Sequence, residues 1–242
     1  LNECEDGVCL PLRPILMGGD DLTFVCDGRI ALSLAAKALN FIRQQEIAGL
    51  GRITACAGVA LVKAHAPFAR ACRMAEELCA TAKRRLRDDR IDDCAIDWHI
   101  GLLQPSDTVA DVRQREYSQN IGATTFAELT CRPYCLGSSQ SESYTWTWLD
   151  EVLLGKEGQS LRGPVWSERR NKVKRLQELV REGPDGLKAV LIDWKSVDKK
   201  AQLPSSCADG FTANRTALLD AIEMMDLHMQ LDQKRQEAKS DT

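Results

Sequence analysis

An α+β domain followed by a helical segment is the fold class this sequence predicts, and three patterns carry the prediction. Two short apolar runs, Arg13 to Met17 and Leu22 to Cys26, flank two glycines and two aspartates, the pattern of a β-hairpin with an acidic tip. Two further strand-like runs, Ile53 to Lys63 and Cys94 to His99, each follow a stretch whose apolar residues recur at helical spacing. Beyond Leu136 helical patterns dominate.

Asp27 is placed to cap a helix running to Ile47, with Ile30, Leu34, Ala38, Leu39 and Ile42 as its apolar positions. Ile53 to Lys63 is too short and too apolar for a surface helix and reads as a buried central strand containing Gly58. Pro67 suits a first helical position. Phe68, Ala71, Cys72, Ala75, Leu78, Cys79, Ala82 and Leu86 then make one stripe, with Lys83, Arg84, Arg85 and Arg87 near the negative end of the helix dipole. Cys94 to His99 alternates as a strand. The order strand, strand, helix, strand, helix, strand suggests a sandwich with helices packed on one sheet face.

Leu136 to Ser143 turns small and polar, which sets a boundary between a first domain over residues 1–136 and a helical domain over 137–242. In the second, Trp146 to Leu154 reads as helix, Ser167 as the cap of a helix stopping at Gly183-Pro184, and Leu187 to Trp194 as another. Val197 to Asn214 reads as loop, Thr216 as the cap of a last helix, and Gln233 to Thr242 as a charged tail.

With 242 residues, 44% of them hydrophobic, the chain can bury a substantial core. A net charge of −3 gives no general positive field for phosphate backbones. No stretch approaches the roughly 20 apolar residues of a membrane span, and Leu1 to Gly7 is acidic rather than a basic leader, so a cytoplasmic location with no membrane partner is expected. Of the ten cysteines, Cys56, Cys72 and Cys79 lie among apolar residues, as reduced thiols do. Cys4 with Cys9 and Cys131 with Cys135 are spaced closely enough to consider zinc, but both pairs would have to converge on one tetrahedral site.

The chemistry is concentrated at the hairpin. Gly18 and Gly19, lacking a β-carbon, let a base or phosphate approach the backbone, while Asp20 and Asp21 offer hard oxygen ligands. Magnesium takes one or two protein carboxylates and leaves positions for phosphate and water; a two-metal site activates a hydroxyl and stabilises charge during in-line displacement. The same four residues also make an ordinary tight turn.

Arg13 to Asp21, the Ala57-Gly58-Val59-Ala60 strand, Lys63 followed by Pro67 and an alanine-rich helix ending in Ala82-Lys83, the Ile96-Asp97-Trp98-His99 strand and Arg132-Pro133-Tyr134 occur in one order. That ordered set resembles the palm of the type III CRISPR large subunit, the Cas-ten polymerase/cyclase family related to diguanylate cyclases, over residues 12 to 136. The resemblance implies a ferredoxin-like palm that binds ATP with Mg2+ or Mn2+ and joins nucleotides into cyclic signals. It implies Asp20 and Asp21 as catalytic and metal-binding residues, Gly18 and Gly19 as the nucleotide-facing turn, and Lys63 as a triphosphate contact. It further implies pairing with another palm or subunit, and guide or target RNA within a larger complex. A complete palm of this kind begins with a strand bearing another acid, and only 17 residues precede Gly18. A separate chain or an upstream segment would supply that strand, and without it the domain serves as a nucleotide-binding or scaffold module. A GTP-using cyclase is a third reading.

His65 and His99 have no partner at ligand spacing and are expected in surface or structural roles. Trp146, Trp148, Trp166 and Trp194 fall in apolar helical patterns and are expected as core anchors. Arg169, Arg170, Lys172, Lys174 and Arg175 form the densest basic patch, expected as a solvated helix face.

Overall fold

The computed structural model describes residues 11–49, 51–101, 104, 107–122, 125–137 and 144–231, and it is a mixed α+β structure. The hairpin is formed by β1 (Leu12–Gly18) and β2 (Asp21–Cys26). The strands pair antiparallel from Leu12↔Cys26 to Gly18↔Asp21, with a bulge between Pro14 and Leu16. Pro14 has no amide hydrogen to give to a ladder, and the bulge falls beside it. Ile15, Leu16, Met17, Leu22 and Val25 are all exposed, so the hairpin has little cover on either face.

Asp27 caps α1 (Gly28–Arg43) by accepting the Arg29 amide at 2.9 Å. Its buried side is Ala31, Leu32, Ala35, Ala36 and Leu39, one position round from the expected stripe; Ile30, Leu34 and Ala38 are only half-buried. The helix ends at Arg43, short of Ile47, because β3 (Glu46–Ile47) folds back on β4 (Gly51–Arg52). Gly49 and Gly51, with φ of +84° and +79°, allow that turn where a side chain would be strained.

A three-stranded sheet has the order β5 (Cys56–Leu61), β6 (Ala95–Ile100), β9 (Tyr134–Cys135). β5 runs parallel to β6 and β9 antiparallel to it. α2 (Phe68–Asp88) makes the crossover, with Met74, Leu78, Ala82 and Leu86 buried; Pro67 precedes it as the cap, and Phe68 is exposed. A β-carbon on Gly58 would lie 1.9 Å from the Ala75 carbonyl and 2.4 Å from the Cys79 amide, so only glycine lets strand and helix meet. The expectation for β5 is corrected in one respect: it lies at the edge of the described sheet, half-buried, and β6 takes the central place with Ala95 to His99 all buried. Near-continuous apolar runs of this kind belong to strands covered on both faces, and that covering alone does not distinguish centre from edge.

Beyond β6 lie α3 (Val109–Glu116), opened by a capping box between Thr108 and Asp111, and the small ladder β7 (Ser118–Asn120) with β8 (Phe126–Glu128). The later segment contains a π-helical turn (Trp148–Leu153) and then α4 (Pro164–Ser167), α5 (Arg170–Glu182) and α6 (Pro184–Val197). A 3-10 turn (Ser205–Cys207) and α7 (Leu218–Met225) follow. Ser167 closes α4 instead of capping α5, whereas Thr216 does hold the α7 amide of Leu218, at 3.2 Å. One apolar cluster runs from Leu32 through Trp98 and Tyr134 to Leu176 and Met224, so core side chains on both sides of the 136/137 boundary pack together. Trp146, Trp148 and Trp166 are buried in it, as expected of core anchors.

Candidate active site at the β1–β2 hairpin

Gly18 and Asp21 close a two-residue loop of Gly19 and Asp20. Gly19 has φ +61°, the left-handed conformation that a primed hairpin turn demands. Added β-carbons at Gly18 and Gly19 would meet nothing within 4 Å, so the backbone at the tip is open to an approaching group. Asp20 and Asp21 are exposed. Among the described residues no ion pair or hydrogen bond engages either carboxylate, and both remain available to a ligand.

Asp21 acts on the same sulfur as Lys83. Burial raises the pKa of the Cys79 thiol, the Lys83 ammonium pulls it down and the Asp21 carboxylate adds to the rise. The Cys79 thiol donates to the Cys56 carbonyl, at the start of β5, at 3.3 Å. Lys63 lies past the other end of that strand, and the extended run from Cys56 to Lys63 spans roughly 20 Å. Lys83 and Asp21 thus both act on the Cys79 thiol, and Lys63 is exposed beyond the Leu61 end of β5.

As metal ligands the two aspartates have the right chemistry and an incomplete set. Carboxylate oxygens suit Mg2+ or Mn2+, with phosphates and water filling the remaining positions. Among the described residues no group of three His, Cys, Asp or Glu side chains converges as a metal site. Two polar hollows share Arg43 and Arg52 as lining, one with Asp93 and the other with Asn40 and Gln44.

The other conspicuous residues fall into structural roles. His65 is exposed, and His99 is buried, its imidazole lowered to about 4 by burial and then by Arg132 and Arg113. Cys131 is a buried free thiol and Cys135 is half-buried; Cys4 and Cys9 lie outside the described residues. Within the basic patch Arg169 pairs with Asp198, Arg170 with Asp226 and Arg175 with Glu178, while Lys172 sits 5.0 Å over the Trp194 ring.

Sequence reasoning missed the buried network behind the sheet. Arg132 lies 2.8 Å from Asp220 with both side chains fully buried, and its guanidinium stacks 4.3 Å over Tyr117. Burial opposes the charge on Arg132, and Asp220, Tyr117 and Glu223 hold it protonated, above the ordinary arginine range. Asp97, buried in β6, accepts from Arg113 at 2.5 Å and from the Thr81 hydroxyl. Arg132 and Asp220 are 88 positions apart in sequence by subtraction (220 − 132), and no local pattern ties them.

No helix among the described residues is long and apolar enough to cross a membrane. No protein-family model and no curated protein matches the chain.

Proposed function

We propose that this chain is a ferredoxin-like palm of a metal-dependent nucleotidyltransferase that joins ATP into cyclic or linear oligonucleotide signals in prokaryotic antiviral defence. The observation that carries the reading is the hairpin tip: two aspartates unpaired among the described residues, at a two-residue turn where added β-carbons on Gly18 and Gly19 would meet nothing within 4 Å.

Asp20 and Asp21 would hold the divalent ions. When bound, such ions activate the attacking hydroxyl and neutralise charge on the phosphate during in-line displacement. A 3′-hydroxyl attacks the α-phosphate, the new ester bond forms, and pyrophosphate leaves with its electron pair. Gly18 and Gly19 leave room for the nucleotide beside the backbone. Lys63 would contact the triphosphate, and Lys83, which acts on the same Cys79 thiol as Asp21, would add positive charge. A second palm or subunit, with guide or target RNA in the same complex, completes the setting the resemblance implies.

A second reading is favoured by the exposure of the hairpin and the edge position of β5: the palm binds nucleotide, or packs on other subunits, without turning over. Incubation with labelled ATP and Mn2+, followed by separation of products, tests the first reading. Oligonucleotide and pyrophosphate are expected, and an Asp20→Ala, Asp21→Ala double variant should form neither. Turnover unchanged in the double variant rejects the assignment. ATP binding without product supports the second reading.

A further inference from the structure

β5 and β6 run parallel and in register from Cys56↔Ala95, so the segments that lead into them enter from one end of the sheet. Residues 52–54 lead into β5 and residues 91–93 into β6. Both segments, with Arg43 at the end of α1, line a hollow of about 300 Å³.

Its charged side chains divide by what they already touch. Arg43 lies 3.2 Å from Asp93 and also donates to the Gly137 carbonyl. Asp93 in turn accepts the Cys94 amide at 2.7 Å and the Gly137 amide at 2.9 Å. That pair is a fixed wall without net charge. Arg52 and Asp92 are exposed, and among the described residues no hydrogen bond or ion pair engages the side chain of either. Ile53 and Ile91, both half-buried, are the apolar part of the lining, and Ile91 packs on the small cluster of Ala82, Leu86 and Ala95.

These groups select a ligand by its charges. An anion alone would desolvate Asp92 without a partner, and a cation alone would do the same to Arg52. A molecule that carries both charges answers both. The isoleucines suit an apolar stem between them, as in ligand pockets whose few polar groups fix orientation. A sphere of about 300 Å³ is roughly 8 Å across, and six single bonds in an extended chain separate an ammonium nitrogen from a carboxylate carbon by about 7.5 Å. We propose that this hollow binds a zwitterion whose carboxylate is held by Arg52, whose ammonium is held by Asp92 and whose five-carbon stem lies on Ile53 and Ile91. That is the chemistry shared by a C-terminal lysine residue and a free ω-amino acid. The site is independent of the hairpin, since neither Asp20 nor Asp21 lines it.

An NMR titration with 6-aminohexanoate, read at the backbone amides of Ile53 and Ile91, tests it. A dissociation constant below about 10 mM is expected. Hexanoate and hexylamine, each with one of the two charges, should bind at least about tenfold more weakly. Arg52→Gln should bring 6-aminohexanoate down to the affinity of hexylamine, and Asp92→Asn to that of hexanoate. Both side chains are exposed and unengaged among the described residues, so thermal stability should not change in either variant. Nα-Acetyl-lysine has the same two charges and an amide on the stem, and it separates the sources. Binding equal to that of 6-aminohexanoate supports the proposal with a polypeptide C-terminus as ligand, and exclusion supports it with a free ω-amino acid. No shift at Ile53 and Ile91 up to about 10 mM overturns the proposal, as does equal binding of the singly charged compounds. Binding of 6-aminohexanoate that neither variant weakens also overturns it. ATP turnover is not read in this experiment, so loss of the nucleotidyl-transfer reading would leave its result unaffected.

Discussion

The guanidinium of Arg132 meets the carboxylate of Asp220 at 2.8 Å in the fully buried interior, and through this pair α7 is tied to the segment that leads into β9. Thr130 and Tyr134 also donate to Asp220, at 2.7 and 2.8 Å, as does the Cys131 amide at 2.8 Å. Asp220→Ala would leave a buried arginine without its main counter-charge, which costs about 3–5 kcal/mol. Urea unfolding should show a loss of that order. A loss below about 1 kcal/mol would mean the pair does not hold the helical segment.

Protonation of His99 should erode stability on the acid side. Its folded value of about 4 lies below the ordinary 6.5, so the unfolded chain takes up the proton first as pH falls. The contribution is complete above about pH 6.5 and is lost progressively down to about pH 4, with a limit on the order of 3 kcal/mol. His99→Gln should flatten that part of the stability-against-pH curve, measured by thermal unfolding between pH 7 and 4.

Gly58→Ala puts its β-carbon into the Ala75 carbonyl at 1.9 Å, where backbone must shift. Overpacking of this kind costs about 1–3 kcal/mol or more, readable as a lower denaturation midpoint. A neutral Gly58→Ala would contradict the close approach of β5 and α2.

Thr108→Ala removes one half of the capping box on α3, where the hydroxyl accepts the Asp111 amide at 3.2 Å. About 1 kcal/mol should go with it. Serine at the same position should retain most of that stability, which separates the capping hydroxyl from the packing of the threonine methyl.

What was legible in the sequence follows from how local each signal is. The hairpin, α1, α2 and β6 each declare themselves through the period of their own apolar residues, and the structure places all four. Where a period is ambiguous the boundary moved: α1 stops four residues before Ile47 because the turn at Ala48-Gly49 lets Glu46 and Ile47 pair with Gly51 and Arg52. α3 was readable from its Thr108-to-Asp111 spacing and was passed over in a segment without a long apolar stripe. The edge position of β5 was not readable, since a Val- and Ala-rich run looks alike at the centre and the edge of a sheet. At the site, Gly18 to Asp21 was visible as a motif, while the shared effect of Lys83 and Asp21 on Cys79 depends on how α2 lies against β5. The Arg132–Asp220 pair is a contact between distant segments, and neither residue type announces burial.

Metal binding at the hairpin is measured most directly by the electron paramagnetic resonance of Mn2+ titrated into the protein with ATP. The spectrum should change from that of Mn2+–ATP alone to a protein-bound signal, and an Asp20→Asn, Asp21→Asn variant with unchanged thermal stability should lose that change. A protein-bound signal of equal strength in the variant, or none in the parent protein, would contradict the assignment of these two aspartates.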